Sequence, residues 1–114
     1  MVLVKEKITI DELKKMSEKM FGELVKAVVD IEQEIMVVDA ELHADEEEVL
    51  LDGGSKQDNL WGINIRPGNL PNDNWIEFDS MINIRPALGN RSRYVNNPQI
   101  REKILKIVDK LVVR

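Results

Sequence analysis

With 114 residues and no cysteine, the chain is sized for one domain around a single core, and disulfide frameworks and thiolate chemistry are excluded. Its formal net charge of −5 disfavours nucleic acid as a partner. No apolar run is long enough to cross a membrane and residues 1–7 lack a signal-peptide core, so the expectation is one cytoplasmic α+β domain over 1–114.

Val2, Leu3 and Val4 suit a short edge strand. Thr9 and Glu12 then form a capping box, in which each side chain bonds a free backbone N–H of the first turn. Leu13, Met16 and Met20 follow at helical spacing, and Gly22 supplies the left-handed residue that ends a helix.

Residues 24–42 suit either one long helix or two strands, 25–31 and 35–42. Their β-branched content (Val25, Val28, Val29, Ile31, Ile35, Val37 and Val38) favours the strands. An even-length loop then pairs Asp30 with Ile35. Asp30, Asp39 and Glu41 fall on one wet face, and Val29, Met36 and Val38 on a buried one. A short helix is predicted next, with Asp45 as N-cap, Glu48 three residues on, and Val49, Leu50 and Leu51 turned inward.

The pentapeptide Ile-Asn-Ile-Arg-Pro occurs twice, at 63–67 and 82–86. Each copy reads as a strand whose last residue carries a guanidinium and whose pairing proline ends. Pairing Arg66 with Trp75 places Ile65 opposite Ile76, Asn64 opposite Glu77 and Ile63 opposite Phe78, a register in which apolar residues meet on one face. That register stacks Arg66 on Trp75, sends Trp61 to the core, and puts Trp75 and Met81 on the polar face. It also sets the two copies' arginines far apart, so they share no ligand. The last helix is capped by Asn97, has Pro98 at its first position, and carries the stripe Ile100, Ile104, Ile107 and Leu111. The fold expected is a mainly antiparallel sheet of about four strands, packed by two amphipathic helices and one short one.

The runs at 25–30, 41–45, 60–64, 82–86 and 89–93 resemble a small bacterial and archaeal family of unknown function. The resemblance implies a free-standing single-domain protein. It implies no activity, cofactor or catalytic residue.

Charge is unevenly spread: ten acids and no Lys or Arg lie between Ala27 and Ser55, whereas bases dominate from Arg85 onward. The two halves either face one another or mark separate sites for a metal and an anion. On a strand, Asp39, Glu41 and His43 would line one side, a set suited to a divalent metal such as Zn²⁺ or Mn²⁺. Asn83, Arg85, Asn90, Arg91, Ser92 and Arg93 offer guanidinium forks and amides that match a phosphate or carboxylate. Arg85, Asn90, Arg91 and Arg93 are its anion-binding candidates.

No Gly-x-Ser-x-Gly elbow, phosphate loop or dinucleotide fingerprint is present. The reading favoured is a non-catalytic ligand-binding or assembly module, a homodimer by fold analogy, that uses the polar sheet face and the Arg-rich loop. The competing reading is a metal-dependent hydrolase of a phosphate-containing substrate, with metal on Asp39, Glu41 and His43 and anion on the arginines.

Overall fold

The computed structural model describes residues 1–114. Strand β1 (Val2–Val4) leads to a two-residue strand β2 (Ile8–Thr9) and helix α1 (Ile10–Met20). The capping box is realised on one side: Thr9 Oγ1 accepts the Glu12 N–H at 3.1 Å. Gly22, at φ 84°, turns the chain out of the helix, as its sequence position predicts.

The hairpin reading of 24–42 holds. Strands β3 (Val25–Asp30) and β4 (Ile35–Val38) pair antiparallel with Asp30 opposite Ile35. The Asp30 carboxylate ties the turn together, accepting the N–H groups of Glu32 at 2.9 Å and Gln33 at 3.0 Å. Its second oxygen accepts Ser55 Oγ at 2.6 Å, which anchors the turn to the segment after the next helix. Burial pushes this carboxyl up, but the hydrogen bonds from Ser55, Gln33 and Glu32 outweigh it and hold it below the usual carboxylate range.

Strand β5 (Leu60–Ile65) pairs with β3, and β6 (Ile76–Glu77) pairs with β5 in the predicted register, Ile65 to Ile76 and Asn64 to Glu77. The sheet order is β1-β4-β3-β5-β6, antiparallel throughout. Helix α3 (Pro98–Leu111) runs into β7 (Val112–Val113), which pairs parallel with β2 and ties the two ends of the chain together. Asn97 caps α3 as expected, accepting the Gln99 N–H at 2.8 Å.

One sheet face carries Ala27, Val29, Met36, Trp61, Ile63 and Ile65 against Leu13 of α1 and Ile104, Val108 and Leu111 of α3, forming the main core. The opposite face was expected to be wet, but helix α2 (His43–Asp52) packs on part of it. Leu50 there meets Val28, Val37 and Leu60 in a second, smaller core. The helix begins two residues before the predicted Asp45 cap, with Leu42 as N-cap. Leu51 is consequently turned to solvent, and Glu46 is turned inward.

The two pentapeptides adopt different structures. The first ends β5. The second is not a strand: Met81–Asn83 forms a 3-10 turn, and Ser80 Oγ caps it by accepting the Ile82 N–H. Their Arg-Pro ends do match. Arg66 and Arg85 have similar backbone angles, and each precedes a 3-10 turn that opens on proline. Arg66 N–H donates to the Trp75 carbonyl at 2.6 Å, and Arg85 N–H to the Asn90 carbonyl at 2.7 Å. Trp75 lies in the main core rather than on the polar face, and Arg114, not Arg66, stacks on it, 5.4 Å from the ring centroid.

The acidic and basic halves do meet, through Lys110–Glu34 at 2.7 Å and Arg85–Glu47 at 3.1 Å. No helix is long and apolar enough to cross a membrane.

Candidate functional site

Three strands each set a polar residue between apolar neighbours: Lys26 in β3 (whose far end also carries Asp30), Asn64 in β5 and Glu77 in β6. The sheet register sets Lys26 opposite Asn64 and Asn64 opposite Glu77, so the three form a row across one face. That face belongs to α2 further along the strands, and beside the helix the row floors a cleft of about 500 Å³. His43 and Ala44 at the start of α2 line it, as do Arg66, Asp79 and Arg93. Phe21, Leu42 and Met81 form an apolar rim and are 42%, 56% and 66% exposed. The lining sets three cations against two carboxylates.

Each polar group has a definite orientation. Asn64 Nδ2 donates to Glu77 Oε1 at 2.8 Å and to the Asp79 carbonyl at 3.3 Å. Both partners are acceptors, so the amide cannot be reversed, and Oδ1 is left without a donor. Arg93 grips Asp79 with two nitrogens, Nε at 2.7 Å and Nη2 at 3.1 Å. Arg66 reaches Glu77 and Glu23, each at 3.4 Å. Lys26 Nζ lies 5.1 Å from the Phe21 ring centroid.

His43 is the first residue of α2. Its Nε2 lies 2.7 Å from the Ile63 carbonyl. A carbonyl only accepts, so Nε2 carries the proton and Nδ1 keeps its lone pair, with no partner inside the protein. Burial is the main force on this imidazole and holds it below the ordinary histidine range. The Ile63 carbonyl and Asp79 oppose that shift, and Lys26 and Arg93 add to it. Leu42, at the N-cap, has no side chain to bond the first N–H groups of the helix, whose positive dipole end therefore opens beside His43.

The residues read as a metal set do not form one. Strand β4 ends at Val38, and Asp39 adopts φ 74°, which breaks the alternation that would have aligned Asp39, Glu41 and His43. Glu41 is exposed, and His43 is helical. No group of three or more His, Asp or Glu side chains converges to hold an ion.

The Arg-rich set is divided among different tasks. Arg85 is nearly buried, pairs with Glu47 and stacks 5.2 Å from the Trp61 ring. Asn90 is 4% exposed and holds its own loop: Nδ2 donates to the carbonyls of Asn83, Ser92 and Tyr94, and Oδ1 accepts the Asn96 N–H. Arg91 is exposed and forms no ion pair, and Ser92 bonds Asn96. Asn83 is buried and bonds Gly62. Of the candidates, Arg93 alone reaches the cleft, where His43 joins it from the proposed metal set.

Lys26, Asn64 and Arg66 are not candidate ligands on sequence grounds, and Glu77 and Asp79 enter there only as acids that adjacent strands could add to the metal set. A signal exists in the polar residues set singly between apolar ones, at Lys26, Asn64 and Glu77, although Asp30 in β3 fits the same pattern. Aligning them required the β3–β5 pairing, which local pattern does not specify.

The fold and cleft define a small α+β protein with helices on both sheet faces and one polar cleft between sheet and helix. The profile of the family described as "Protein of unknown function (DUF5674)" matches residues 2–111, and the chain belongs to that family. No curated protein and no solved structure matches it.

Proposed function

We propose that the protein is a binding module for a small anionic ligand, which is taken up in the cleft over the Lys26–Asn64–Glu77 row. The observation that carries this reading is convergence. Lys26 from β3, Arg66 from the end of β5, Arg93 from the loop before α3 and the uncapped N-terminus of α2 all border one cleft. The cations exceed the carboxylates there although the whole chain is acidic. Helix N–H groups and guanidinium forks suit oxyanions, and a cleft of about 500 Å³ suits a small molecule. The ligand is drawn by the polar sheet face and by Arg93 of the Arg-rich loop; Arg85 and Asn90 are occupied in holding that loop.

Calorimetry or NMR titration with inorganic phosphate tests this reading. Wild-type protein should bind, with affinity falling as salt rises. Lys26→Met keeps most of the side chain's apolar stem and should weaken binding about tenfold without loss of fold. Arg91→Ala, away from the cleft, should bind like wild type. Absence of phosphate binding, or equal binding by Lys26→Met, would reject the cleft as an anion site.

A further inference from the structure

Two acceptor atoms beside the cleft lack a donor in the protein, and one of them is open to a ligand. His43 and Asn64 are 8% and 6% exposed, and both line the cleft. His43 Nδ1 is an acceptor because Nε2–H is committed to the Ile63 carbonyl. Asn64 Oδ1 is an acceptor because Nδ2 is committed to Glu77 and to the Asp79 carbonyl. Neither atom has a donor within the protein, but Asn64 Oδ1 is sealed from solvent, which leaves His43 Nδ1 as the acceptor a ligand can reach. A bare anion leaves His43 Nδ1 unsatisfied and places its own negative charge beside that lone pair.

Building on the reading of the cleft as an anion site, we infer that the ligand bears an O–H or N–H donor next to its anionic group, accepted by His43 Nδ1. Its oxyanion faces Lys26, Arg93 and the N-terminus of α2, and a short apolar substituent lies on Phe21, Leu42 and Met81. Hydroxy acids and hydroxylated phosphate monoesters share this chemistry. Burial supports the assignment by keeping His43 neutral, so that its lone pair remains available at neutral pH. Discrimination by such groups is sharp because an analogue lacking the donor leaves desolvated acceptors unpaired.

The test uses two matched pairs of probes on the full chain. One pair is α-hydroxyisocaproate against isocaproate; the other is glycerol phosphate against propyl phosphate. The hydroxylated member of at least one pair should bind about tenfold more tightly, and the pair that shows it identifies the anion as carboxylate or phosphate. His43→Gln supplies the second measurement. The glutamine amide can still donate to the Ile63 carbonyl, but its own acceptor Oε1 lies away from the Nδ1 position, so the preference for the hydroxylated member should collapse, whereas Lys26→Met should weaken both members of a pair alike. Equal binding within both pairs, or an undiminished preference in His43→Gln, overturns the inference and leaves the anion site standing. If neither the probes nor phosphate bind, the anion site itself is rejected.

Discussion

Replacing Asn83 with alanine should lower the unfolding free energy by roughly 3–5 kcal/mol and weaken the cleft with it. The Asn83 side chain stands in for a β-strand. Its Oδ1 accepts the Gly62 N–H at 2.8 Å, and its Nδ2 donates to the Gly62 carbonyl at 2.9 Å and the Arg93 carbonyl at 3.0 Å. Strand β6 stops at Glu77, so the amide closes the β5 edge where backbone pairing has ended. Alanine leaves the Gly62 N–H and carbonyl unpaired in a dry interior, each at a cost of about 1–3 kcal/mol, while the Arg93 carbonyl keeps the Ser80 N–H at 3.1 Å. Gly62 makes the arrangement possible, because a Cβ built there would lie 2.5 Å from Ser80 Cβ. The segment it holds carries Asp79, Met81 and Arg93, all of which line the cleft, so phosphate affinity should fall in parallel. Urea unfolding measures the first effect and calorimetry the second. A loss below about 1 kcal/mol would show that water replaces the amide without cost.

The same residue explains why the second pentapeptide misleads. In both copies the alternation of isoleucine with asparagine and arginine satisfies the pattern of a strand. In the first, the Asn64 backbone joins the ladder opposite Lys26 and Glu77. In the second, the Asn83 side chain pairs with Gly62 and the local backbone curls into a 3-10 turn. Local pattern does not distinguish an asparagine whose backbone pairs from one whose amide does. Where signals were redundant, sequence and structure agree. Caps, spacing and stop residues jointly mark α1 and α3. The β3–β4 and β5–β6 registers follow from matching apolar faces over short loops.

The cleft was less legible, and α2 shows why. Reading Asp45 as the cap starts the helix three residues late and leaves Glu46 in an exposed first turn, where acids suit the dipole. The helix in fact starts at His43, and its buried side is His43, Glu46 and Leu50. A stripe containing two titratable residues is invisible to hydrophobic periodicity. The chemistry of His43 is visible in the sequence, but its partners are not. Asp39 and Glu41 were its neighbours by strand parity. Lys26, Asn64 and Arg93 are its neighbours through the β3–β5 pairing and the loop before α3.

The buried side of α2 yields the second large expectation: Glu46→Gln should abolish a loss of stability on raising the pH. Glu46 is 0% exposed. Burial pushes its carboxyl up to about 10, with Asp39 adding to the shift and the Ala40 N–H and Lys26 opposing it. The folded protein therefore keeps a proton that the unfolded chain releases above 4.5. Between those values the native state binds more protons, so stability falls as pH rises, by up to about 1.4 kcal/mol per unit. His43 acts in the opposite sense: burial lowers it, so the unfolded chain takes up a proton below 6.5 that the folded one refuses, and stability falls on acidification. The two effects oppose one another between 4.5 and 6.5, and Glu46 acts alone above that range.

Glutamine preserves the shape and the acceptor for the Ala40 N–H, which Glu46 Oε2 now bonds at 3.1 Å. Its amide nitrogen meets no acceptor, but neither does Glu46 Oε1, so near pH 5 the two proteins should be almost equally stable. From about pH 7 to about pH 9 the wild-type urea midpoint should fall steadily while that of Glu46→Gln stays level, leaving the variant more stable by several kcal/mol at the alkaline end. Midpoints that fall together in both proteins would mean that the carboxyl ionises without penalty and that Glu46 is hydrated within the fold.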